Sequence, residues 1–145
     1  MKLAKAVAVG AILAAGVAYA QQEPTDPNAI ARETLMKTLG MNAGVLGNMA
    51  SGKDPFDAAK AETAKAALVD AAGKIEATFA EQGATDPASR AKPDVWTGWD
   101  EFLVKAKALG DGAAALDVAT VESVGAGMGV IGSACSDCHK TYRTE

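Results

Sequence analysis

The sequence predicts an all-α protein built as an antiparallel four-helix bundle. Apolar side chains recur at alternating spacings of three and four residues in separate segments, the signature of a helix face that packs in a bundle. Only 5% of the 145 residues are aromatic and alanine is abundant, a composition suited to close-packed helices and poor for a sheet. Cap and turn residues divide the chain into four helical arms, with one long interruption between the second and the third.

Ahead of the first arm stand Lys2 and Lys5, an apolar run over 6–17, and Ala18-Tyr19-Ala20, a small-x-small cleavage site. Residues 1–20 are therefore expected to be a cleaved signal peptide, and 21–145 one mature domain beginning at Gln21. The apolar run is shorter than the ~20 residues of a transmembrane helix and no other stretch qualifies, so no membrane insertion is expected after cleavage. The leader holds two of the 14 cations and none of the 18 acids, which moves the net charge from −4 to −6. Such an acidic chain argues against nucleic acid or an anionic membrane as partner.

Asp26-Pro27 reads as an N-cap followed by proline at the first helical position. From there Arg32, Met36, Leu39, Ala43, Leu46 and Ala50 form the first stripe. Gly40, Gly44 and Gly47 each weaken this helix by roughly 1 kcal/mol relative to alanine, and either admit a neighbouring helix closely or mark local irregularity. Ser51-Gly52 closes it. Asp54-Pro55 repeats the cap-plus-proline start, with Asp57 favouring the new N-terminus; Ala61, Ala64, Leu68, Ala72, Ile75 and Phe79 follow as the second stripe. Gly83, Pro87 and Pro93 among polar residues make 81–93 a loop. The third helix carries Trp96, Trp99, Leu103, Ala106 and Gly110 on one face, with a break expected at Asp111-Gly112 and both tryptophans read as core.

The fourth helix has the clearest period. Val121, Val124, Met128, Ile131, Cys135, Cys138 and Tyr142 alternate by three and four. Within it lies Cys135-Ser136-Asp137-Cys138-His139, the C-x-x-C-H signature of covalent haem attachment. Two thiols form thioethers with the porphyrin and the adjacent imidazole ligates iron. On a helix these three side chains share one face, and both cysteines lie on the bundle stripe, so one haem c belongs on the last helix and inside the bundle. Gly125, Gly127, Gly129 and Gly132 leave room for the macrocycle or for a neighbouring backbone. A structural zinc site wants about four Cys or His ligands, and the chain has two Cys and one His. A thioredoxin-like pair needs a helix N-terminus, whereas this one lies near a helix end. A plain disulfide would leave His139 unexplained.

C-x-x-C-H on the last helix of a four-helix bundle resembles the class II c-type cytochromes. The resemblance runs over nearly the whole mature chain. It rests on Arg32-Glu33-Thr34-Leu35-Met36, Pro55-Phe56-Asp57, Pro93-Asp94-Val95-Trp96 and the stretch from Cys135 to Arg143. It implies two branches: cytochromes c′, with five-coordinate high-spin iron beneath an apolar first-helix side chain, and low-spin relatives in which a methionine of that helix is the sixth ligand. Met36 matches that distal position and is compatible with both. Arg32 resembles the arginine near a haem propionate in cytochromes c′, and Phe56 is expected near the haem edge. Arg143 is expected to tune the imidazole and gate proximal access, or simply to complete the helix dipole.

A ligand census narrows the choice. His139 is the only histidine, so bis-histidine ligation within one chain is excluded. Met128 lies roughly 16 Å along the helix from His139, and Met41 and Met49 fall off the first-helix stripe. If a methionine ligates, it is Met36; otherwise Met36 packs over the iron face. The first expectation is a periplasmic one-electron carrier serving redox partner proteins of the periplasm, not an enzyme. The alternative, implied by the cytochrome c′ resemblance, is a binder of nitric oxide or carbon monoxide at vacant iron. A peroxidase lacks a distal histidine for acid–base work. The resemblance also raises a homodimer through the first two helices.

Overall fold

The computed structural model describes residues 23–145, so the signal peptide expected at 1–20 and the mature start at Gln21 lie outside the described residues. Helix α1 (Pro27–Ala50) begins as expected: the Asp26 carboxylate accepts the Ala29 N–H at 3.0 Å and Pro27 fills the first helical position. Ser51 caps its end and Gly52, at φ +73°, turns the chain away.

Helix α2 (Ala58–Gly73) starts three residues later than Asp54-Pro55 implied. Its cap is Asp57, which accepts the Lys60 N–H, so proline stands in the connection and not at the first helical position. A break at Lys74 separates α2 from the short α3 (Ile75–Phe79). The second stripe is confirmed throughout, since Ala61, Ala64, Leu68, Ala72, Ile75 and Phe79 are all buried. The third arm is a turn of helix, α4 (Asp94–Thr97), then α5 (Trp99–Ala115) after an irregular Gly98. Here the expected face is displaced. Val95, Phe102, Leu109 and Ala113 are buried, while Trp96, Trp99, Leu103 and Ala106 flank them at half burial. The helix also runs through Asp111-Gly112 to Ala115; Lys107 pairs with Asp111 at 2.6 Å and supports that last turn. Helix α6 (Val121–Tyr142) opens with a reciprocal Thr120–Ser123 capping box.

Each long helix packs on its neighbours around a square: α1 on α2, α2 on α5, α5 on α6, α6 on α1. The ends show the antiparallel sense. Gly125 near the start of α6 faces Ala50 at the end of α1, and Phe79 meets Phe102 in the first turn of α5 at 5.1 Å between ring centroids. No strand occurs among the described residues beyond a single antiparallel bridge between Ala91 and Arg143.

That bridge matters because it fixes the long connection. Lys92 donates its N–H to Tyr142 O, and Thr144 donates to Arg90 O, both at 2.9 Å. At its other end the loop is clasped to the start of α1 by two carboxylates. Asp86 accepts the N–H groups of Thr25 (2.6 Å) and Asp26 (2.8 Å), and Asp26 accepts that of Ala84 (3.1 Å). These bonds hold Asp86 down at a pKa of about 2. Gly83 sits under the clasp at φ +75°, where a Cβ would lie 2.5 Å from Asp26 Oδ1. Gly83→Ala should therefore cost about 1–3 kcal/mol. Gly52→Ala, with positive φ but nothing within 4 Å, should cost about 1 kcal/mol. Denaturant midpoints compare them, and equal losses would contradict the clasp.

Candidate functional site

One end of the bundle is hollow. A cleft of about 720 Å³ is bounded by the N-terminal half of α1, the C-terminal end of α6, Phe79, Phe102 and the loop residues 87–91. Its size is that of a cofactor pocket. Arg32, Met36, Cys138, His139 and Arg143 all line it. Cys135, one turn before Cys138, is half-buried against the core. Phe56 is not brought to this site. It lies half-buried in the α1–α2 connection, which follows the end of α1 while the cleft is lined by the N-terminal half of that helix. Met41 is 65% exposed on the outside of α1, as the stripe implied. Met49 is not off the core face: it is 3% exposed, near the far end of α1 from His139.

Arg32 is the most unusual side chain. It is 4% exposed, donates from Nη1 to Glu81 O at 2.9 Å, and lies over the Trp96 ring at 5.1 Å and the Phe79 ring at 5.8 Å. Burial pulls its pKa down, partly offset by Asp26. Its Nε is buried with no partner in the protein. A buried unpaired donor of a cation is costly, and an anionic group in the cleft would satisfy it.

The electrostatics of the cysteines separate the readings of C-x-x-C. Both thiols are free, and burial pushes the pKa of each up; Lys105 pulls Cys138 partly back. A redox-active pair has its thiol pKa lowered, and burial here acts in the opposite direction. Burial also lowers the His139 pKa, as do Arg143 and Arg90 in turn, which favours a neutral imidazole able to donate a lone pair to a metal. Among the described residues no three His, Cys, Asp or Glu side chains gather around a bare ion. One imidazole, one thioether and two thiols beside an apolar cleft suit an iron that brings its own ring of nitrogens.

The glycines divide. A Cβ on Gly127 would collide with Leu116, so there the close-approach reading holds. Cβ atoms on Gly40, Gly44, Gly47, Gly129 and Gly132 would meet nothing within 4 Å, so these do not serve close helix packing. Gly40 lines the cleft one turn beyond Met36 and leaves its wall bare. Sequence reasoning missed the loop wall at 87–91 and the floor formed by Val95 and Phe102. The pairing of Arg90 with Thr144 has no sequence signal at all.

A four-helix bundle whose last helix presents C-x-x-C-H at an apolar cleft defines a c-type haem protein of the class II kind. Comparison with known proteins agrees. The family model described as Cytochrome C′ matches residues 28–143. The chain is 34% identical over 134 residues to cytochrome c-556 of Agrobacterium fabrum, covering 90% of this chain and 87% of that one. It is 31% identical over 118 residues to cytochrome c-554 of Cereibacter sphaeroides, covering 77% of each. It superposes on the solved cytochrome c′ from Rhodobacter sphaeroides with a TM-score of 0.75 at 27% identity, covering 81% of this chain and 95% of that one. The chain belongs to the cytochrome c′ family. Its cofactor is haem c, and Cys135 and Cys138 have the spacing that attachment requires.

Proposed function

We propose that the protein is a one-electron carrier of the periplasm, with Cys135 and Cys138 as thioether donors, His139 as proximal ligand and Met36 as sixth ligand. The observation that carries this reading is the convergence of Met36, from α1, with His139, from α6, on one cleft. Haem c supplies a ferric/ferrous couple. The protein's residues do the rest. Arg32, with its unpartnered Nε, binds a propionate. Phe79, Phe102 and Val95 exclude water and keep the local dielectric low. Met36 offers a soft, uncharged sulfur, which favours the reduced state and keeps coordination unchanged through the cycle, so that little reorganisation accompanies electron transfer.

A vacant-iron reading, in which Met36 only packs over the metal and small diatomics bind, is favoured by the bare wall at Gly40 and by Met36 being only half-buried. Carbon monoxide kinetics on the ferrous protein distinguish the two. With Met36 bound, the association rate should level off at high gas concentration, limited by release of the thioether. A rate rising linearly throughout, with no plateau, would support the vacant site instead.

The location follows from the leader. Haem c attachment outside the cytoplasm and cleavage after Ala20 give a haem-bearing chain starting at Gln21. Intact mass should show the loss of 1–20 plus one haem. A haem-bearing chain retaining Met1 would contradict export with processing. No helix among the described residues is long and apolar enough to cross a membrane.

A further inference from the structure

The loop wall of the cleft is held from two sides by different means. On one side Asp86 and Asp26 clasp it to the start of α1; on the other the Ala91–Arg143 bridge ties it to the residues that follow His139. Between these anchors Arg90 lines the same cleft as His139, with Nη2 donating to Thr144 O at 3.1 Å. We propose that Asp86 is a positioning residue: by fastening this strap it holds the Arg90 guanidinium beside His139, and Arg90 thereby raises the reduction potential of the iron. The proposal rests on His139 being the haem ligand.

The physical reason is charge. Reduction would add one electron at the iron, so a nearby fixed cation would stabilise the ferrous over the ferric state. Arg143 lines the cleft too, but it caps the end of α6 directly, with its N–H on His139 O. Arg90 has no such helix beneath it: it is tied to Thr144 at one end of the strap, and the Asp86 clasp holds the other end. Glu23, Glu33 and Glu145 also line the cleft. Glu33 is paired with Lys37 at 2.7 Å, and among the described residues no carboxylate comes within 4 Å of Arg90 to cancel it. Because Arg90 is exposed, its effect is screened, falling as the Debye length shrinks from about 10 Å at 0.1 M salt to about 3 Å at 1 M.

Asp86 acts by holding backbone N–H donors in place. It donates nothing and does not reach the iron site itself. Its three backbone partners are Thr25, Asp26 and Ala88. Asparagine keeps one oxygen acceptor and loses the charge, which weakens the clasp without emptying it.

The test uses holoprotein whose covalent haem has first been counted after denaturation in alkaline pyridine; a chain without attached haem would overturn the underlying reading together with this one. In haem-bearing protein, Arg90→Gln should lower the midpoint potential, equivalent to roughly a two- to threefold fall in the ferrous-to-ferric ratio at fixed potential. The difference should shrink as salt is raised, and Arg90→Lys should restore most of it. Asp86→Asn removes an anion, which by itself raises the potential. Its positioning effect is therefore read as a difference: its shift should be lower with Arg90 present than in Arg90→Gln, and amide exchange at Thr25 and Asp26 should speed up. Asp86→Asn added to Arg90→Gln should lower the potential no further. An unchanged potential in Arg90→Gln would overturn the proposal. So would equal effects of Asp86→Asn with and without Arg90, or unaltered Thr25 and Asp26 exchange in Asp86→Asn.

Discussion

Serine at both Cys135 and Cys138 is expected to leave no holoprotein at all. Both thioether bonds are lost, and the hydroxyl is a poor nucleophile towards the porphyrin side chains. Nothing else in the chain compensates for covalent attachment. His139 would be a single protein ligand, half-buried in the last turn of α6, and Met36 lines the cleft from a different helix. The damage extends beyond lost chemistry. Without the macrocycle the cleft of about 720 Å³ remains a hole lined by Phe79, Phe102 and Val95, and the buried Arg32 Nε has no anion to meet. A hollow of that kind, with one buried guanidinium donor left unpaired beside it, should cost the end of the bundle about 1–3 kcal/mol. The bundle made by the double variant should therefore melt well below the haem protein. The pyridine haemochrome assay should find one covalent haem per chain in the unmodified protein and none in the variant. Covalent haem surviving in the double serine variant would refute the attachment.

Met36→Ala is expected to produce the largest change in iron chemistry with the least change in fold. Met36 is half-buried, so the truncation should cost about 1–2 kcal/mol, below the 2–5 kcal/mol typical of fully buried methionine. If its sulfur binds iron, removal converts ferric protein from low to high spin, lowers the potential, and opens the distal side to carbon monoxide. A site blocked nine-tenths of the time by its own ligand taxes an incoming one about tenfold, so affinity for carbon monoxide should rise by at least about that factor. If Met36 only packs over the iron, the variant keeps its spin state and gains mainly in association rate. Spectra in both oxidation states, with carbon monoxide titration, separate the outcomes.

These effects were readable in advance because the decisive residues lie on periodic helices. The α6 stripe from Val121 to Tyr142 put both cysteines on the bundle face, and the second stripe is buried at every position although Lys74 breaks it between α2 and α3, since apolar side chains at helical spacing reveal their face. The failures occurred where regularity ends. Asp54-Pro55 has the form of a helix start, but Asp57 can cap the Lys60 N–H and so wins the competition. Asp111-Gly112 reads as a break, yet the ion pair to Lys107 and packing against α6 keep the helix going. The third-helix face was misjudged because tryptophan is large enough to reach the core from a flanking position. Trp96 does so while donating its Nε1–H to Phe79 O at 2.8 Å.

Within the site, Arg32, Met36, Cys138, His139 and Arg143 converge as their helical positions allowed, whereas Phe56 belongs to a connection whose path no periodicity describes. The strap from Glu81 to Lys92 was legible only as a loop. Its clasp depends on carboxylate–amide bonds between residues some 60 apart, and its bridge joins segments more than 50 apart. Such contacts follow from the assembled bundle and leave no local pattern in the residues that make them.

Ligation by Met36 is the central proposal, because it would make the protein an electron carrier and not a binder of diatomic gases. The direct measurement is the absorption spectrum of the unmodified ferric protein at neutral pH, extended into the far red. Ligation predicts a six-coordinate low-spin spectrum with the weak sulfur-to-iron charge-transfer band, and loss of that band in Met36→Ala. A high-spin ferric spectrum without that band, in protein carrying one covalent haem, would contradict ligation by Met36 and leave the iron open on that side.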